Sequence, residues 1–141
     1  MERVLEDLEI AVDGLKRYSL SLVVVKEGKI LFKGYGKGVK EMINAIDLLG
    51  DLMKDSSVAD KVMGKACALL SSYAGVKAVY AKTISEAAIA VLEENGIYTV
   101  FDERVEKILD PSKARICPFE GLVIDIDDPV EAYSKLTAKI Q

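Results

Sequence analysis

Ser57-Val-Ala-Asp-Lys-Val-Met-Gly-Lys-Ala-Cys-Ala-Leu-Leu70 is the stretch whose reading decides the fold. Its apolar residues run on to Tyr73 and stop at Gly75. The spacing predicts one buried central helix from about Val58 to Tyr73, closed by a left-handed cap at Gly75. On that expectation Lys61 and Lys65 stand one above the other in the first turns, where the positive end of the helix dipole disfavours cations. Either an acidic neighbour or an anionic ligand compensates them, or the helix packs closely on the sheet and the lysine heads reach out to solvent. Gly64 costs about 1 kcal/mol of helix propensity relative to alanine, and a glycine in so apolar a helix admits another backbone or a ligand. Ser57 with Asp60, and Thr83 with Glu86, have near capping-box spacing, so capping alone would account for both acids.

On the amino-terminal side, residues 2–17 carry Val4, Leu5, Leu8, Ala11, Val12 and Leu15 at helical spacing. Acidic residues lead that helix and Lys16 and Arg17 close it, matching its dipole. Leu20 to Val25 and Ile30-Leu-Phe32, separated by the turn at Glu27-Gly28, predict an antiparallel hairpin. The loop Gly34-Tyr-Gly-Lys-Gly38 leads to a helix from about Val39 to Met53. On the carboxyl side the pattern predicts a strand at Val76–Ala81, a helix at Ile84–Glu94 ended by Asn95-Gly96, and a strand at Ile97–Phe101, joined as a parallel crossover. A short helix is expected over Val105–Leu109. Gly121–Ile126 has the composition of a strand but follows Pro118 and Glu120, which suit a helix start. Asp128-Pro-Val-Glu131 opens the last helix with an N-cap, a first-turn proline and a third-position glutamate.

The totals describe one domain spanning 1–141: 141 residues, half of them apolar, 30% charged, with a net charge of −4. The mild negative charge argues against a general nucleic-acid footprint. No apolar run reaches the roughly 18 residues of a membrane span, and the acidic, amphipathic start is unlike a secretory signal. A cytoplasmic location is therefore expected. Two cysteines, Cys67 and Cys117, make no disulfide framework.

The chain contains no histidine. That removes Ser-His-Asp and Cys-His pairs and histidine metal ligands, and there is no Cys-x-x-Cys to hold zinc. No metal and no cofactor are expected. Gly34–Gly38 shares only composition with phosphate-cradling loops, although its strand–loop–helix setting and Lys37 and Lys40 suit an anion. Cys67 falls in the apolar stripe and reads as a buried structural thiol. Cys117, in Cys117-Pro-Phe-Glu120, reads as a structural cysteine beside a rigid turn or, if a helix starts there, as a thiol made more reactive.

Asp60-Lys-Val-Met-Gly-Lys-Ala66, the glycine loop ending Gly38-Val-Lys40, Ile84-Ser-Glu86 and Cys117-Pro-Phe-Glu120 resemble an uncharacterised prokaryotic family of unknown function with the cytidine-deaminase-like fold. The resemblance covers nearly the whole chain. It implies a three-layer α/β/α sandwich on a mixed sheet with an amino-terminal antiparallel hairpin. Active zinc deaminases open their central helix with His-x-Glu and the next with Pro-Cys-x-x-Cys. By position, Asp60-Lys61 replaces the first motif and Thr83-Ile-Ser85-Glu86 the second. Cys117-Pro118 has the reverse order and follows the wrong strand.

The leading expectation is thus a deaminase-like fold without zinc chemistry that keeps a small-molecule pocket at two neighbouring helix starts. Its ligand would be anionic, nucleotide- or phosphate-like. Lys61 and Lys65 would neutralise charge and Asp60 and Glu86 accept hydrogen bonds. The Gly36-Lys37-Gly38 backbone would close over the ligand with Lys40, while Gly64, Ser85, Cys117 and Glu120 complete the lining. Asp60, Lys61 and Cys117 are the candidate catalytic groups. One alternative is a zinc-independent enzyme using Cys117 as nucleophile or Lys61 as amine. Another is a non-enzymatic interaction protein. No nucleic-acid or membrane partner is expected, and homo-oligomerisation stays open.

Overall fold

Glu27 and Gly28 both have positive φ, 51° and 78°, as a two-residue hairpin turn requires. They join β1 (Leu22–Lys26) to β2 (Lys29–Gly34). The turn is tied to α1 (Glu2–Arg17), because the buried Asp7 carboxylate accepts from Glu27 N at 2.9 Å and Gly28 N at 2.8 Å. The computed structural model describes residues 1–140. The chain continues through α2 (Gly38–Leu49) with a 3₁₀ turn over Gly50–Met53, β3 (Ser57–Met63), α3 (Lys65–Ala74) and β4 (Ala78–Ser85). It ends with α4 (Glu86–Glu94), β5 (Tyr98–Val105), the one-turn α5 (Pro118–Leu122) and α6 (Pro129–Ile140).

The strands form one mixed sheet in the order β2-β1-β3-β4-β5. β1 is antiparallel to β2 and β3, whereas β3, β4 and β5 run parallel. Side-chain alternation sorts the sheet into two cores. Val23, Val25, Ala59, Ala78 and Tyr80 pack against α1 through Leu8, Ala11 and Leu15. Leu22, Val24, Val58, Val79 and Ala81 face the opposite layer with residues of α2, α3, α4 and α6. The result is a three-layer α/β/α sandwich. No described helix is long and apolar enough to cross a membrane.

The largest departure from expectation lies in the decisive stretch. Residues 57–63 form a strand, and the helix starts only at Lys65. β3 is central in the sheet and covered on both faces, so Val58, Ala59 and Met63 are all buried. A doubly covered strand loses its polar alternation and resembles a buried helix segment. Lys61 therefore lies on a strand, where the helix dipole does not bear on it. The capping expectations fail for the same reason. Ser57 Oγ donates to Val4 O at 2.7 Å, and Thr83, inside β4, donates to Glu103 at 3.3 Å. The cap of α4 is Ser85, whose Oγ accepts from Ala88 N at 3.1 Å.

Other boundaries agree or move. Gly75 closes α3 with φ 81°, as expected for a left-handed cap. Asp128 accepts from Val130 N and Glu131 N at the start of α6. β4 and β5 run four residues beyond expectation, into polar ladder positions such as Lys82, Thr83, Glu103 and Arg104 that hydropathy does not mark. The expected helix over Val105–Leu109 is absent; instead Leu109 bridges Ile116 across an exposed turn. Residues 121–126 contain no strand: α5 ends at Leu122, and Val123 and Ile126 reach the core from turns.

Candidate functional site

A cavity of about 760 Å³ opens at the carboxyl end of β3. This is where the sheet changes from antiparallel to parallel pairing, the position at which open α/β sheets accept ligands. The loop before α2 supplies Gly36, Lys37 and Gly38, followed by Lys40. β3 and its end supply Asp60, Lys61 and Gly64, and the segment before and within α5 supplies Cys117 and Glu120. Three expected residues lie elsewhere. Lys65 Nζ turns away to donate to Ile124 O at 3.0 Å and to pair with Asp127 at 3.1 Å. Ser85 is used as a cap, and exposed Glu86 pairs with Arg104 at 3.4 Å. The start of α3 thus borders the cavity and the start of α4 does not.

Asp60 is 1% exposed. Its Oδ1 accepts a 3.3 Å bond from Val62 N, while Oδ2 has no partner. Burial raises its pKa to about 8, against the smaller opposing effect of backbone hydrogen bonds from Val62 and Lys61. Near neutral pH the group is mostly a neutral acid, able to donate as well as accept. Lys37, Lys40 and Lys61 have no carboxylate partner within 4 Å among the described residues.

Glu120 has a role that sequence reasoning missed. It is 8% exposed, and its carboxylate clasps the start of α3: Oε1 accepts from Lys65 N and Oε2 from Ala66 N, both at 2.7 Å. Gly64 has φ −102° and needs no conformational freedom that alanine lacks. A Cβ there would fall on the Glu120 carboxylate, so its absence is what lets that carboxylate sit against the helix start. A glycine before a helix start, with an acid far along the chain, was the available sequence signal. A similar arrangement holds the glycine loop, where Gly36 N donates to Glu41 Oε2 at 3.2 Å. That amide is therefore engaged within the protein.

Cys67 and Cys117 are free and line the same cavity. Cys67 is 2% exposed, and burial, followed by the charges of Asp60, Glu120 and Cys117, pushes its thiol well above the usual range. Cys117 is half-buried at the N-cap of α5. In timed labelling with iodoacetamide, Cys117 should react at least about tenfold faster than Cys67, since burial both suppresses the Cys67 thiolate and blocks access to it. Equal rates would contradict this assignment of access.

The donor set does not suit the zinc of deaminases. There is no histidine, both Glu120 oxygens are held by amides, and no group of three His, Cys, Asp or Glu side chains among the described residues is placed to hold a metal ion.

Sheet order, crossovers and cavity position together define a deaminase-like α/β fold. Acinetobacter baumannii RibD shares it at 18% identity over 72% of this chain and 34% of that one, with a TM-score of 0.51. The dCMP deaminase of cyanophage S-TIM5 aligns over 74% of this chain and 95% of its own at 19% identity, with a TM-score of 0.47. The chain belongs to the TM1506 family, a domain of unknown function (DUF1893), which matches residues 10–140. A DUF1893 family protein from Thermotoga maritima has a similar crystal structure: 29% identity over 95% of this chain and 90% of that one, TM-score 0.84. No curated protein matches the chain.

Proposed function

We propose that this protein binds a small anionic molecule, nucleotide- or phosphate-like, in the cavity at the end of β3. The observation that carries the proposal is the gathering of Lys37, Lys40 and Lys61, all without carboxylate partners among the described residues, around one cavity with Asp60 in its lining. Unpaired lysines attract an anion, and a neutral Asp60 carboxyl hydrogen-bonds a polar edge of the same ligand. The ligand sits at Lys61 rather than between Lys61 and Lys65, because Lys65 is committed to Ile124 and Asp127.

Thermal melting with AMP, CMP, GMP and ribose 5-phosphate tests this. At a hundredfold excess over its dissociation constant, a ligand of the native state adds about 2.7 kcal/mol, several degrees in Tm. Lys61→Ala should lose most of that increment while melting as wild type without ligand. If none of the four compounds stabilises wild type, and calorimetry detects no binding, the proposal fails.

A second function rests on Cys117, which lines the same cavity: a zinc-independent enzyme with a thiol nucleophile. Slower labelling of Cys117 in the presence of a stabilising ligand, followed by turnover lost in Cys117→Ser, would favour it over simple binding.

A further inference from the structure

The start of α3 is a built anion seat that holds one of the protein's own side chains. Two consecutive amides, Lys65 N and Ala66 N, converge on a single carboxylate from Glu120, and Gly64 lacks the Cβ that would close the seat. A ten-residue helix adds the positive end of its dipole at this point. The same cavity is lined by Asp60, 1% exposed, whose Oδ2 has no partner. Asp60 and Glu120 line one cavity, so a buried acid with an unmet oxygen and a seat that accepts anions point to an incoming group that would engage both.

Glu120 is also weakly anchored by its own element. It belongs to a five-residue helix that follows a largely exposed stretch, residues 106–116. Burial acts against its ionised form and raises its pKa despite the two amide bonds and the Lys65 charge. An exchangeable occupant would have this balance.

We propose that the Lys65 and Ala66 amides form an oxyanion seat, occupied by Glu120 in the free protein and by the phosphate of the ligand in the complex. The inference rests on the cavity being the binding site and adds where the phosphate goes and what it must displace. Glu120 then acts as an internal competitor. It keeps the helix start satisfied when the cavity is empty and weakens phosphate binding when it is not.

Inorganic phosphate is the probe, with chloride at matched ionic strength as control. Glu120→Ala removes the carboxylate and leaves the seat open, whereas in Gly64→Ala the added Cβ falls where the seated group lies and closes the seat to carboxylate and phosphate alike. Both variants should melt below wild type in phosphate-free buffer. Phosphate should raise the Tm of Glu120→Ala saturably, with half-effect at a concentration at least about tenfold lower than for wild type, and Gly64→Ala should gain no such increment. In amide NMR of wild type, the Lys65 and Ala66 resonances should shift early in the phosphate titration. Equal phosphate responses in wild type and both variants, or wild-type Lys65 and Ala66 amides that stay still at saturation, would overturn the seat. The wild-type titration decides the matter if either variant fails to fold. A nucleotide effect lost in Lys61→Ala, with unmoved Lys65 and Ala66 amides, would leave the cavity proposal standing and the seat refuted. Tight phosphate binding to Glu120→Ala that is absent in Gly64→Ala, with no nucleotide effect on wild type, would do the reverse.

Discussion

Asp60→Asn should make the stability of this protein fall less steeply between pH 4 and 8 and leave it clearly more stable than wild type at pH 9. The Asp60 carboxyl titrates near 3.8 when unfolded and at about 8 in the folded state, where burial disfavours its charge. Between those values the native protein holds a proton that the unfolded chain has released. By linkage, stability then falls as pH rises through this window and levels off above pH 8. Each pH unit carries at most about 1.4 kcal/mol, so the whole window is worth several kcal/mol, with roughly 6 kcal/mol as a ceiling. For a domain of this size that corresponds to a Tm difference of roughly 10 °C or more at pH 9. Glu120 and Cys67 are also shifted upward and weaken wild type and variant alike as pH rises. The variant-minus-wild-type difference therefore reports Asp60 together with its smaller charge effect on Cys67. Parallel melting curves for both proteins from pH 5 to 9 would show that Asp60 is ionised, or solvated, in the native state.

The second large effect separates two lysines that look equivalent in sequence. Lys65→Ala should cost about 1.5–3 kcal/mol, the usual range for losing a hydrogen bond made by a charged group. Its side chain is 13% exposed and fastens the turn after α5 through Ile124 O and Asp127. Without it, that carbonyl loses its donor, and the segment that brings Val123 and Ile126 to the core loosens. Lys61→Ala should change stability by no more than about 0.5 kcal/mol, as for an exposed side chain without partners. Urea unfolding of the two variants side by side measures the difference. A loss for Lys61→Ala as large as for Lys65→Ala would mean that Lys61 has a structural partner, and the cavity would lose its anchor for an anion.

That contrast shows where the sequence was legible. The hairpin, the parallel β4–α4–β5 crossover, α1 and the opening of α6 all follow from short-range signals. These are a two-residue turn at Glu27-Gly28, apolar spacing at helical or strand period, and Asp-Asp-Pro before a helix. Each signal acts within a few residues of the structure it specifies. The absence of histidine and of Cys-x-x-Cys likewise settled, from composition alone, that the zinc motifs of deaminases are missing.

Residues 57–70 resisted because their conformation is set by neighbours far along the chain. Val58 to Met63 form a strand because β1 and β4 supply hydrogen bonds on both edges and both faces are covered. Nothing local distinguishes such a run from a buried helix. The candidate site divides in the same way. Residue types and loop composition pointed to Gly36–Gly38, Asp60, Lys61, Gly64, Cys117 and Glu120, which the fold brings to one cavity. Only the tertiary structure assigned their separate states: Asp60 buried with an unmet oxygen, Lys61 free, Lys65 spent on Ile124 and Asp127, and Glu120 seated on the helix amides. The contacts of Lys65 and Glu120 span 54 to 59 residues of chain. Periodicity and capping rules act over one or two helical turns, so bonds between residues so far apart lie beyond their reach.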